Sequence, residues 1–198
     1  MKRLIVAITG ASGAIYGVKT LEALRASGEV EVHLIISPSA ARTLREETDI
    51  SMDEVRGLAD VVHSHKDIGA AIASGSFKTA GMIVAPCSVK TLSGIANCYA
   101  EDLVVRAADV CLKERRRVVL MFRETPLHAG HIALMDQATR IGAIIMPPIP
   151  SFYNRPVFIE DIVNQSVGRM LDMFDLGGEM VTRWTGSGSG QRNLAKTP

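Results

Sequence analysis

Aromatic side chains are scarce here, at 5% of 198 residues with a single tryptophan, so each one in a candidate site carries extra weight. Cysteine is scarce too. Cys87, Cys98 and Cys111 have no metal-ligand spacing, and an odd count argues against a disulfide framework, so a reducing cytoplasm is the expected setting. Neither sign of charge dominates: 22 Lys and Arg face 21 Asp and Glu, a net charge of +1. That balance gives no reason to expect nucleic acid or an anionic membrane as partner, and anion binding has to come from local clustering. No apolar run reaches membrane-spanning length. The start, Met1-Lys2-Arg3, leads straight into a short apolar run with no signal-peptide cleavage pattern. Internal repeats and a domain-boundary linker are also missing.

What remains is an ordinary globular composition, 47% hydrophobic and 22% charged, in a chain long enough for one α/β domain with a real core. Strand-like runs are expected at Leu4–Thr9, Val30–Ser37, Gly81–Ala85, Val118–Arg123 and Gly142–Met146, with a weaker one at Ala59–Ser64. Helical periodicity is expected at Gly13–Ala26, Ser39–Thr48, Ser51–Gly57, Thr91–Ala96, Leu103–Arg115, Leu127–Arg140 and Ile159–Leu176. The alternation predicts an open, mostly parallel sheet with helices on both faces, forming one domain over residues 1–185. The Gly/Ser run after Thr185 predicts a flexible tail over 186–198.

The most informative stretch is Thr9-Gly10-Ala11-Ser12-Gly13-Ala14-Ile15-Tyr16-Gly17, between the first strand and the first helix. Glycines let the backbone approach an anion, and free amides at a helix start point toward it. The spacing is neither the G-x-G-x-x-G of dinucleotide enzymes nor a P-loop, and a tight turn without ligand is the competing reading. The other strand ends favour the ligand. They carry Ser37-Pro38-Ser39, Pro86-Cys87-Ser88-Val89-Lys90-Thr91, Phe122-Arg123-Glu124-Thr125-Pro126 and Pro147–Tyr153. Ligands of open sheets bind at the carboxyl ends of strands, and here hydroxyls, two cations, a carboxylate and a tyrosine all fall there. Ser88 also suits a plain N-cap. Arg123 and Glu124 are adjacent opposite charges ending a buried strand. Arg offers a fork that fits phosphate, and Glu a group that shuttles protons. Arg106, Asp109 and Lys113 share a helix face, which an ion-pair ladder explains as well as a ligand does. Arg169 stands on the polar side of the last helix. The pairs His63/His65 and His128/His131 lack a third ligand, so no metal is expected.

In this order the landmarks resemble the flavin prenyltransferase family, the UbiX-like proteins, which include the small B subunits of hydroxyarylic acid decarboxylases. The resemblance runs from about Met1 to Trp184. It is carried by Thr9–Ala14, Glu47-Thr48-Asp49, Ser74-Gly75-Ser76-Phe77, Pro86-Cys87-Ser88, Arg106–Asp109 with Leu112–Arg115, Arg123–Leu127 and Pro150–Pro156. It implies a Rossmann/flavodoxin-like flavin-binding domain. It implies metal-free transfer of the dimethylallyl group of dimethylallyl phosphate to N5 and C6 of reduced FMN, giving prenylated FMN for a UbiD-like decarboxylase. It implies a dodecamer with sites between subunits. By matching motif, FMN contacts fall on Gly10, Ala11, Ser12, Ser37, Ser88, Val89, Lys90, Thr91 and Arg123. Substrate phosphate contacts fall on Arg106, Lys113, Arg123, Tyr153 and Arg169. Glu124, Glu47, Ser12 and Lys113 are the implied catalytic groups. An FMN-binding accessory subunit and a flavin-dependent cysteine decarboxylase are the alternatives. The Pro-x-Met-Asn-x-x-Met-Trp motif of the latter does not occur in the chain.

Overall fold

The computed structural model of the chain describes residues 1–184 and Gly186. Apart from Gly186, the tail expected over 186–198 lies outside the described residues. The strands are β1 (Lys2–Ile8), β2 (Val30–Ile36), β3 (Val61–His63), β4 (Gly81–Cys87), β5 (Arg117–Phe122) and β6 (Ala143–Ile145). All pair in parallel, in the order β3-β2-β1-β4-β5-β6. The helices are α1 (Ala14–Ser27), α2 (Pro38–Glu47), α3 (Met52–Gly57), α4 (Val89–Ala96), α5 (Leu103–Lys113), α6 (Ala129–Arg140) and α7 (Ile159–Asp172).

Strand β1 shows why the sheet is covered on both sides. Successive strand residues point to opposite faces. Leu4, Val6 and Ile8 join one core with Val18, Leu21 and Leu24 of α1 and Val163, Val167 and Met170 of α7. Ile5 and Ala7 join a second core with Leu92 and Ile95 of α4, Leu103, Ala107 and Cys111 of α5, and Ala138 of α6. A buried leucine contributes about 1.5–3 kcal/mol by its removal from water, so these two layers supply most of the drive to fold.

Expected and observed elements differ mainly at their ends. The weak strand shrinks to three residues, α4 starts two residues early at Val89 because Ser88 caps it, and α6 starts at Ala129 behind the His128 cap. Helix α7 stops at Asp172, and a turn follows where periodicity extends the helix to Leu176. The short 3₁₀ turns at Ala71–Ala73 and Gly178–Met180 have too few residues for any period to show.

The strand order reverses direction between β1 and β4. In open α/β sheets the crevice at such a switch point, at the carboxyl ends of the strands, is where ligands bind.

Candidate functional site

A cleft of about 490 Å³ occupies that position. It is lined by Gly10, Ala11 and Ser12 after β1, Ser37–Ser39 after β2, Ser88–Thr91 after β4, and Arg123 and Glu124 after β5, with His65 and Asp102 closing one side. All nine residues expected to touch a flavin are therefore gathered by one surface. Pro38 and Ser39 were expected at this strand end though not as flavin contacts, whereas His65 and Asp102 were not expected there and come from connections whose path no local pattern reveals.

The cleft is tied together from beneath. The buried Thr9 hydroxyl donates to the Pro86 carbonyl at 2.8 Å and accepts the Ser88 amide at 2.9 Å. This pins the β1 loop to the β4 loop. Gly10 is required by close approach, because a Cβ there would lie 2.2 Å from the Ser39 Cβ. Gly13 sits at φ +96°, a left-handed conformation that disfavours other residues. Ser37 and Ser88 cap α2 and α4, accepting from the Ala40 amide at 3.1 Å and the Thr91 amide at 3.3 Å. Neither helix has an acidic residue in its first turn, so both present positive helix starts to the cleft.

The start of α1 behaves differently from expectation. Its amides were expected to face a bound anion. Instead Glu47 Oε2 accepts the Gly13 amide at 2.8 Å and the Ala14 amide at 3.0 Å. A carboxylate from α2 already satisfies that helix start. Burial raises the Glu47 pKa, but the Ser12 hydroxyl, the two amides and the Arg123 charge outweigh it and hold the carboxyl below its ordinary range. Tyr16, one turn into α1, is half-buried. Burial raises its hydroxyl's pKa, and Arg123 partly offsets the rise.

Arg123 and Glu124, adjacent in sequence and opposite in charge, engage different partners. Glu124 Oε1 accepts the Thr125 amide at 2.9 Å, while the Arg123 charge acts on Glu47 and Tyr16. Adjacent residues leaving a strand point to opposite sides, which separates the two side chains.

The remaining expected residues lie outside the cleft. Arg106 pairs with Asp109 at 2.8 Å on α5, and Lys113 with Glu114 at 2.6 Å at the end of that helix. Tyr153 donates its hydroxyl proton to the Thr182 carbonyl at 2.9 Å, and its ring centroid is 6.1 Å from that of Trp184. Arg169 pairs with Asp172 at 2.8 Å, and Asp172 also holds Arg183 at 2.8 Å. Hydrogen bonding from Arg183, helped by Arg169, keeps the Asp172 carboxyl below its ordinary range against burial. Helix α5 belongs to one layer of the molecule and α7 to the other, so one chain holds these groups on opposite faces of the sheet.

His128 and His131 stack as their spacing suggests, ring centroids 3.7 Å apart, whereas His63 does not pair with His65. His63 meets His33 across β2 and β3, ring nitrogens 2.9 Å apart, and His33 also contacts Glu31 at 2.9 Å. Among the described residues no group of three or more His, Cys, Asp or Glu is placed to share a metal ion.

Two larger hollows lie elsewhere. One of about 770 Å³ lies at the opposite sheet edge among Lys2, Arg115 and Arg117, and one of about 830 Å³ lies beside α1 and α7. The first collects loops at the amino ends of the strands, away from the switch-point crevice, and the second takes in the acidic first turn of α7 at Asp161. Helices α5 and α7 end toward the first, a polarity that suits its cations without a ligand.

Doubly wound topology with a hydroxyl- and amide-lined cleft at the switch point defines a flavin- or nucleotide-binding α/β protein, and the Flavoprotein family model matches residues 1–171. The chain is 56% identical to the flavin prenyltransferase UbiX of Thauera aromatica, over 98% of this chain and 99% of that one. Among solved structures, AnUbiX (PadA1) in complex with FMN and dimethylallyl pyrophosphate aligns with a TM-score of 0.91 and 52% identity, over 93% of this chain and 98% of that one. A dodecameric FMN-dependent UbiX-like decarboxylase from Escherichia coli O157:H7 aligns with a TM-score of 0.91 and 49% identity, over 93% and 100%. The chain belongs to the flavin prenyltransferase family.

Proposed function

We propose that this protein joins the dimethylallyl group of dimethylallyl phosphate to N5 and C6 of reduced FMN, and releases prenylated FMN for a UbiD-like decarboxylase. The observation that carries the reading is 56% identity to a flavin prenyltransferase across 98% of the chain, on a fold whose switch-point cleft has the donors such a substrate needs. Reduced FMN is a substrate here. The residues present fit it: serine hydroxyls, the starts of α2 and α4 without acidic residues, and the Arg123 guanidinium all face one cleft.

The residues divide the work as follows. Gly10, Ala11, Ser12, Ser37, Ser88, Val89, Lys90, Thr91 and Arg123 hold the flavin. Arg106, Lys113, Arg123, Tyr153 and Arg169 hold the allylic phosphate. Breaking its carbon–oxygen bond leaves a phosphate dianion, which fixed cations and a phenol stabilise by preorganised charge and hydrogen bonding. The allylic cation needs a dry, π-rich surface, which the flavin ring, Tyr16, Tyr153 and Trp184 supply. Glu124 accepts the proton lost as the new ring closes. Glu47 and Ser12 hold the loop beside it.

Because one chain keeps Arg106 and Lys113 apart from Tyr153 and Arg169, the complete site needs neighbouring copies. The dodecamer described for the Escherichia coli O157:H7 relative supports a dodecamer here. We place residues 1–185 in a single domain and the protein in the cytoplasm. Three free cysteines support that compartment. No helix among the described residues is long and apolar enough to cross a membrane.

The experiment is a transfer. The protein is incubated with reduced FMN and dimethylallyl phosphate and removed by filtration, and the filtrate is added to a UbiD-like apo-decarboxylase. Activity conferred by the filtrate supports the enzyme. Activity that appears only when the protein itself is present supports an accessory subunit instead.

A further inference from the structure

His65 has no role in the function above, yet it lines the same cleft. Its position follows from the sheet. β3 runs beside β2 with Leu34 opposite Val62 and Ile35 opposite His63. Continuing that register two residues sets His65 beside Ser37, the cap of α2. The His65 backbone is anchored there, because its carbonyl accepts the Leu103 amide at 2.8 Å where α5 begins. His65 is thus held by its backbone at the β2 side of the cleft and shares that lining with Ser37 and Ser39.

The charges around that end are few. Lys90 is engaged by Glu101 at 3.4 Å. Arg123 and Glu124 stand after β5, beyond the β1 and β4 loops. Asp102 lines the cleft, but its Oδ1 is occupied by the Val105 amide at 3.0 Å. Lys66 and Asp67 follow His65 in the chain and do not line the cleft. The α1 start is closed to an anion by Glu47. A phosphate monoester at the β2 end of the cleft meets the α2 start with two serine hydroxyls, and one ring N–H donor from His65.

Resting on the flavin reading above, we infer that His65 is a ligand of the flavin's terminal phosphate, and that it makes this chain select the phosphorylated flavin over the free nucleoside-like form. FMN carries the phosphate and riboflavin lacks it, while the ring system is common to both. A hydrogen bond to a charged group contributes about 1.5–3 kcal/mol, which is roughly ten-fold or more in affinity.

The test measures dissociation constants for FMN and riboflavin by flavin fluorescence, with wild type, His65→Ala and His65→Lys. FMN affinity falls about ten-fold or more in His65→Ala. Riboflavin affinity stays at the wild-type value in that variant, which also shows that the fold and ring site are intact. His65→Lys recovers FMN binding by restoring an N–H donor to the phosphate. The inference is overturned if His65→Ala binds FMN as wild type does, or loses FMN and riboflavin in equal measure. A wild-type protein that binds neither flavin contradicts the flavin reading itself, a separate outcome.

Discussion

At the scale of single residues, Glu124 carries the sharpest chemical expectation. It stands at the mouth of the cleft with one carboxylate oxygen held by the Thr125 amide. That leaves the other oxygen free to accept a proton. Glu124→Gln keeps the shape and the hydrogen bond but removes the proton acceptor. General acid–base groups contribute about 10²–10⁴-fold, and a slowing of that order is expected in the ring-closing step. FMN binding stays close to wild type. Stopped-flow spectra with reduced FMN and dimethylallyl phosphate then show an early flavin species that builds up before the final product. A wild-type rate of product formation means that Glu124 only shapes the loop. Its sequence neighbour Arg123 acts in another direction, toward Glu47 and Tyr16, and a linear reading of two adjacent charges gives no sign of this.

At the scale of elements, the Glu47 contact between α2 and the start of α1 sets a pH dependence. The folded-state pKa of Glu47 is depressed, so its contribution to stability is present above the ordinary carboxylate value of about 4.3 and is lost as pH falls through the folded value. Glu47→Gln therefore lowers the unfolding temperature at neutral pH, and the gap from wild type narrows as pH drops below about 4. Thermal unfolding of both proteins at several pH values checks this, and a gap independent of pH contradicts it. Elements were largely legible from sequence. Apolar runs such as Leu4–Ile8 gave the parallel strands, and the periodicity over Leu103–Arg115 gave α5, whose Leu103, Ala107, Val110 and Cys111 are buried. The nine residues expected to contact flavin were legible as lining of one cleft because they follow strands closely. His65 and Asp102 were not, since their place depends on how β3 pairs with β2 and where α5 begins. The Glu47 bond to the α1 start spans 34 residues to Gly13, and no spacing rule encodes such a contact.

At the scale of the whole molecule, the proposed assignment of Arg106, Lys113, Tyr153 and Arg169 to one phosphate, with α5 and α7 in opposite layers, makes oligomerisation part of the chemistry. Arg106→Ala and Arg169→Ala are each expected to lose activity. Mixed oligomers made by unfolding and refolding the two variants together recover part of it, because some shared sites then draw both intact arginines from different copies. Absence of recovery, from mixed oligomers shown by mass to contain both variants, contradicts a shared site. The measurement that tests the central claim most directly is the mass of the flavin after turnover. Purified protein, reduced FMN and dimethylallyl phosphate are combined with a metal chelator and no partner protein, and the flavin is extracted under exclusion of oxygen. The account predicts an FMN heavier by one prenyl unit, with phosphate released in equal amount. Unmodified FMN as the sole flavin recovered, from a protein that binds FMN and is correctly assembled, contradicts it.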